Sequence, residues 1–335
     1  MVLSAINGAR AMCYSAQIWA DFRKYERFGG TLDVKAFMRM AGWTRSKGNW
    51  IKVVPKSMRR SVIAAGEQLD EALFRMASAA EAEGIAGITD EIDQQSSRLA
   101  EAEAKLASPK PTKKAENDRR IASSKIAAGQ KKLGDMAAPA STDGLDRIWP
   151  GHFAPVLIRD PETGERLIVP MRYRCRLPGW TAADETERPG TYNARRDKLS
   201  TVWRHVFGVH HGIIAASRFY ESVRLHSLQQ RALAPGEREQ NVELVFTPRT
   251  GEDLFIACLY TYTEADGDAP PFYSFAAITH DPPPEVAAAG HDRCIVIVRE
   301  EDIGAWLDPL STGREALLAI LERAERPYYE HELAG

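Results

Sequence analysis

Residues 56–136 constrain the architecture more than any other part of the chain. Ala, Glu, Lys, Arg and Gln dominate there, aromatic residues almost vanish, and Ile92, Leu99 and Leu106 recur at heptad spacing. After a break over 108–114 (SPKPTKK), Ile126 and Leu133 repeat the same interval. A helical period sustained this long predicts an antiparallel, coiled-coil-like helical hairpin. Two roles stand open for it. It is either a structural arm with a solvated charged face, or an arm that grips a protein partner or nucleic acid through Lys110, Lys113, Lys114, Arg119 and Arg120, whose charge Glu116 and Asp118 dilute.

The flanks read differently. Residues 15–28 suggest a short amphipathic helix begun by Ser15 and stopped by Gly29-Gly30, residues 31–43 a second helix, and 137–146 a linker. From 147 onward strands and turns take over. Residues 155–177 predict a hairpin turning at 160–164, and in its return strand Met171, Tyr173, Cys175 and Leu177 alternate with Arg172, Arg174 and Arg176. Strand alternation then gives one apolar face and one face carrying three guanidiniums. Further strands are expected at 212–219, 242–247, 254–262, 272–279 and 293–298, with a closing helix over 312–326. This β-rich half is the expected catalytic body.

At 335 residues, 44% hydrophobic and 27% charged, the chain can bury a sizeable core as one large domain or two ordinary ones. Its formal charge of −2 gives no global basic field, so nucleic-acid binding needs a local patch. Between Arg172 and Arg218 nine basic residues face four acidic ones, interleaved with Tyr173, Trp180, Tyr192, Trp203 and Phe219. That stretch is either a platform for single-stranded nucleic acid or a salt-bridged surface over an aromatic core. Cys13, Cys175, Cys258 and Cys294 are far apart and lack zinc-type spacing, which points to a reducing, cytoplasmic compartment. No apolar run is long enough to span a bilayer, and MVLSAINGARAM lacks the pattern of a secretion signal. His210-His211 has no ligand at metal spacing, so neither metal nor cofactor is expected.

Four short stretches carry chemistry. Cys13 directly follows Met12; if translation starts at Met12, or the preceding residues are removed, Cys13 presents a free α-amine beside a thiol. That pair condenses with an aldehyde to an imine and closes it to a five-membered ring. The plainer reading is a buried thiol. Asn193-Ala194-Arg195 follows a Pro-Gly loop, where an asparagine is either a turn residue or a site residue. Glu221 ends the run Arg218-Phe219-Tyr220, and a glutamate among aromatics is either exposed or raised in pKa and fit for acid-base work. His291-Asp292-Arg293 offers a second proton carrier or a capping histidine.

Taken in order, Met12-Cys13, Leu177-Pro178-Gly179-Trp180, Asn193-Ala194-Arg195, Phe219-Tyr220-Glu221, Ala257-Cys258-Leu259-Tyr260 and His291-Asp292-Arg293 resemble the SRAP family (SOS response-associated peptidase). The resemblance implies an α+β fold: a β-rich, curved, barrel-like body formed by 12–28 and 147–335. Residues 29–146 become a mostly helical insertion holding the hairpin. It also implies a DNA-damage (SOS response) and DNA-repair protein that binds single-stranded DNA and crosslinks to abasic sites as a thiazolidine. By match, Cys13 is the nucleophile, Asn193 orients it, Glu221 is the acid-base group and His291 assists imine formation and sugar ring opening. Arg195 holds a phosphate next to the lesion, with Arg174, Arg176, Trp180 and Arg218 as further DNA contacts.

The chain also departs from the family pattern. Tyr14-Ser15 stands where Gly-Arg is usual, Arg174-Cys175 replaces Trp-Gly, Ser222 replaces a tryptophan, and Cys294-Ile295 replaces Met-Pro. Two alternative functions remain: a cysteine peptidase acting on its own leader up to Met12, and a diverged, non-catalytic binding protein working through the hairpin. The expected partners are single-stranded DNA and, for the insertion, a protein; the expected state is a monomer with no membrane association.

Overall fold

The computed structural model describes residues 15–19, 22–138, 145–188, 190–265, 267 and 269–334. The chain divides into two compact units, Met1–Met40 with Gly144–Gly335, and Ala41–Asp143.

Among the described residues the first unit holds one sheet of twelve strands. They are β1 (Ser15–Trp19), β2 (Thr31–Leu32), β3 (Leu145–Ile148), β4 (Phe153–Arg159), β5 (Arg166–Tyr173), β6 (Asn193–Arg195), β7 (His211–Arg224), β8 (Asn241–Pro248), β9 (Leu254–Thr263), β10 (Phe272–His280), β11 (Cys294–Ile295) and β12 (Tyr329–Leu333). Pairing runs β10–β5–β4–β7–β9 and returns to β10, which closes a five-strand barrel. The barrel wall is buried on both faces. Ile214, Ala216, Ile256, Cys258, Phe275 and Ala277 enter one core cluster, while Ile213, Ala215, Phe255, Ala257, Ala276 and Ile278 enter the other. Leu317, Ile320 and Leu321 of the helix Arg314–Glu322 belong to that second cluster, which makes it the outer layer. Burial on both sides explains why β9 and β10 read as continuous apolar runs rather than alternating ones.

The α+β body with a barrel agrees with the fold expected from sequence. The hairpin over 155–177 is β4 and β5 in antiparallel register, Val156 opposite Val169, and its turn is tied by the Asp160 carboxylate accepting from the N–H groups of Glu162 and Thr163 at 2.9 and 2.8 Å. Two expectations need correction. Residues 15–28 are not one helix: Ser15–Trp19 is β1, lying between β7 and β3, and only Arg23–Glu26 is helical (α1). Ser15, Ala16 and Ile18 are buried there, so ladder bonds on both sides and packing outweigh local helix preference. The closing helix expected over 312–326 is shorter, Arg314–Glu322: Gly313, at φ +80°, sets it off from Pro309–Thr312.

After β2, α2 (Val34–Ser46) starts where the Asp33 carboxylate accepts from the Ala36 N–H at 2.9 Å. The second unit continues with α3 (Trp50–Val53), α4 (Lys56–Leu69), α5 (Glu71–Leu106) and α6 (Lys113–Ala137). The Asp70 carboxylate caps α5 and the Thr112 hydroxyl caps α6. Arg98 pairs with Asp118 and Glu91 with Lys125, so α5 and α6 run antiparallel. Among the described residues no helix is long and apolar enough to cross a membrane.

Candidate active site

Glu221 sits in β7 with Phe219 and Val223 on the buried side of the strand, and it is 2% exposed. Its Oε2 lies 2.9 Å from His291 Nε2. The histidine is delivered by the turn after helix Pro284–Ala288, where Gly290 N–H donates to Ala287 O and His291 N–H to Val286 O. Gly290 adopts φ +94°, and a Cβ there would meet Ser227 Cβ at 3.0 Å, so the turn that aims His291 requires glycine.

His291 Nδ1 is 2.8 Å from the Arg293 carbonyl oxygen. A carbonyl can only accept, so Nδ1 carries a hydrogen and Nε2 of the neutral ring is an acceptor. The contact with Glu221 therefore holds one shared proton, as carboxylic acid to imidazole or as carboxylate to imidazolium. Burial pushes the Glu221 carboxyl above its ordinary value, and the bond and charge of His291 offset this only in part. Burial acts to lower His291, but the Glu221 hydrogen bond and charge outweigh it and raise the ring. Glu221 Oε1 is buried with no hydrogen-bond partner among the described residues.

β1 begins beside this pair. Ser15 is opposite Tyr220, one residue from Glu221, and is fully buried. Arg147 of β3 donates from Nε and Nη2 to Ser15 Oγ at 2.9 and 2.7 Å, pairs with Glu243, and lies 3.7 Å from the centre of the Tyr220 ring. The sequence reading missed Arg147 because LDRIW carries no motif. Cys13 lies outside the described residues. Cys175, Cys258 and Cys294 are all buried, and burial drives each thiol up, Cys175 to about 12, so none of them supplies a thiolate near neutrality.

β6 pairs with β10 on one side and β11 pairs with it on the other, so Thr279 stands opposite both Arg195 and Ile295. Asn193 Oδ1 and Thr279 Oγ1 are buried and unpartnered among the described residues. Beside them opens a cavity of about 320 Å³ lined by Arg195, Arg196, Thr279, His280, Arg293 and Arg326, together with Asp197 and Asp281. Arg195 is tied to Asp197 at 2.9 Å and Arg196 to Glu322 at 3.0 Å, while Arg326 meets His280 Nδ1 at 3.3 Å and no carboxylate among the described residues. Burial, reinforced by Arg326 and Arg196, holds His280 down at about 4, so its ring is neutral. Asp292 feels both His291 and Arg195, which links the cavity to the proton-sharing pair. A pocket of this charge suits a phosphate or carboxylate. Thr279 and His280, the polar residues that end the run FAAITH, are its local trace in the sequence, and the sequence reading did not single them out.

The other expected DNA contacts lie elsewhere. Arg172, Arg174 and Arg176 do not form an exposed guanidinium face. Arg172 and Arg176 converge on the buried Glu185 carboxylate, and Arg174, at φ +112°, donates to the Glu185 carbonyl. Arg176 is only 6% exposed. Trp180 is half-buried against the outer core with the Arg188 guanidinium 5.3 Å from its ring centre. Arg218, half-buried in β7 opposite Gln17, leaves Nε without a partner among the described residues. The structure thus joins Glu221 to His291 and places Arg195 in the neighbouring cavity, while Arg174 and Arg176 serve Glu185.

The sequence model of the SOS response associated peptidase (SRAP) family matches residues 119–333, more than half of the chain. The chain belongs to the SRAP family. Asn193, Glu221 and His291 fall inside the matched SRAP region and Cys13 precedes it. No curated protein matches the chain. Among solved structures, it is similar to a protein from Bordetella bronchiseptica (21% identity, TM-score 0.43, covering 57% of this chain and 87% of that one). It is also similar to a phage-related protein from Bordetella bronchiseptica (16% identity, TM-score 0.44, 59% and 85%) and to a protein from Bacteroides thetaiotaomicron (14% identity, TM-score 0.43, 56% and 77%).

Proposed function

We propose that this SRAP member captures abasic sites in single-stranded DNA covalently through Cys13, as part of a cytoplasmic DNA-damage response. The observation that carries this reading is the buried Glu221–His291 pair, which holds one transferable proton and a carboxylate oxygen unpartnered among the described residues, one residue from where β1 is anchored.

The chemistry follows from the proton inventory. An N-terminal amine has an ordinary pKa of about 8, and a neighbouring base increases its neutral, nucleophilic fraction. The amine attacks C1′ of the ring-opened sugar to give a carbinolamine. Glu221, held protonated by burial, which the bond and charge of His291 offset only in part, donates to the departing hydroxyl, and water leaves with formation of an imine. The Cys13 thiol then adds to the imine carbon, its proton passing to nitrogen, and closes a thiazolidine; one water is lost overall. The Arg195 cavity binds a flanking phosphate, and Asn193 Oδ1 orients the amine. An abasic nucleotide has no base to unstack, so presenting it costs less than flipping an intact one.

Intact-protein mass spectrometry of material expressed from the native gene, before and after incubation with a single-stranded oligonucleotide carrying one abasic site, tests this. The expected chain starts at Cys13 and gains the oligonucleotide mass less one water. Cys13→Ser keeps the amine and loses ring closure, so only a labile imine is expected; a stable adduct at wild-type yield from that variant overturns the mechanism. A chain that starts at Cys13 and forms no adduct favours self-processing alone.

A further inference from the structure

The helical unit contains a cavity of its own. About 440 Å³ opens between α3, α5 and α6, a size within the range of small-molecule sites. Its walls are apolar, formed by Trp50, Ile51, Ile88 and Ile92, and its charges are unevenly satisfied. Glu83 is held by Arg45 through two bonds of 2.9 and 2.6 Å, and Glu91 by Lys125 at 3.0 Å. Both carboxylates therefore already have a cationic partner. Lys52 of α3 and Lys132 of α6 also face this space and make no ion pair among the described residues. Burial holds the Lys132 ammonium below its ordinary value, with Lys52 and Arg59 adding repulsion that Glu91 offsets only in part.

Two like charges brought together beside an apolar wall, with every nearby carboxylate already committed, leave a positive potential that an incoming anion relieves. We infer that this cavity binds a small amphipathic anion, an acidic head group between Lys52 and Lys132 with an apolar body against Ile51, Ile88 and Ile92. Charge decides the sign of the ligand and the walls decide its body: a free inorganic anion would leave the isoleucines unused, and an uncharged hydrocarbon would leave the lysines unpaired. The site uses none of the residues assigned to the barrel, so it stands independently of the abasic-site reading.

Gly87 supplies a discriminating variant. It lines the cavity from α5, and a Cβ built on it meets nothing within 4 Å. Gly87→Leu therefore adds bulk in open space at the cavity's edge while removing a helix-weakening glycine, so it obstructs the cavity without endangering the fold. Isothermal titration of the full-length protein with decanoate, and with decylammonium as the charge-reversed control, reads the site. Decanoate is expected to bind with one site per chain, Lys52→Met/Lys132→Met to weaken it at least tenfold, Gly87→Leu to abolish it, and decylammonium not to bind. Absence of decanoate binding, equal binding by either variant, or binding of decylammonium at similar affinity overturns the inference.

Discussion

Two glutamates of the barrel unit are buried almost equally, Glu185 at 6% exposure and Glu221 at 2%, yet their partners differ. Glu185 receives two guanidiniums, one on each oxygen, from Arg172 and Arg176. Guanidinium does not give up its proton in proteins, so this cluster stores charge and cannot exchange it. Glu221 meets an imidazole on one oxygen and leaves the other without a hydrogen-bond partner among the described residues. The same side chain thus becomes a clamp in one place and a proton carrier in the other, and the choice of partner makes the difference.

Substitution separates the two roles. Glu185→Ala leaves two guanidiniums facing each other in a buried site, and removing one partner of a buried ion pair costs about 3–5 kcal/mol. Equilibrium urea unfolding should show a loss of that size; a loss below about 1 kcal/mol would place Glu185 with ordinary surface pairs. Glu221→Gln has the opposite signature. The amide can still donate to His291 Nε2, so the fold should hold, while general acid catalysis typically worth about 100- to 10,000-fold disappears. Single-turnover crosslinking rates measure that loss, and an unchanged rate in a folded Glu221→Gln protein removes Glu221 from the mechanism.

How much of this the sequence carried varies with the kind of signal. The long arm was legible because α5 and α6 repeat apolar residues at a helical interval for many turns. The hairpin of β4 and β5 was legible from its turn chemistry at Asp160 and Gly164. β1 was misread, because Ser15–Trp19 is short and its strand state is imposed by β3 and β7, which lie more than 100 residues away in sequence. Within the site, Glu221 and His291 stood out as residues, but their contact spans 70 positions and only the fold reveals it. Arg172 and Arg176 were expected to face solvent because strand alternation ignores Glu185, which arrives from a separate helix, Ala182–Glu187. Arg147 had no local signature at all; its role at Ser15 depends on β3 pairing with β1.

The smallest expected effect is also the one that tests the shared proton most directly. Both members of the pair titrate above their ordinary values of 4.5 and 6.5 in the folded protein, the carboxyl because it is buried and the imidazole because Glu221 outweighs burial. In the unfolded chain the glutamate loses its proton near 4.5 and the histidine near 6.5, so from pH 4.5 upward the folded state binds more protons than the unfolded one. Stability then falls as pH rises, because the slope of unfolding free energy with pH follows the protons bound by the unfolded state minus those bound by the native state. The contribution is fully present below the ordinary glutamate value and is lost as pH rises through the folded values of the pair. Glu221→Gln removes one titrating group and the main cause of the upward shift in the other. The stability difference between wild type and this variant, measured by urea unfolding from pH 4 to 8, should therefore move against wild type with increasing pH. A difference that stays flat would mean that Glu221 and His291 hold no extra proton, and that Glu221 is a second clamp like Glu185.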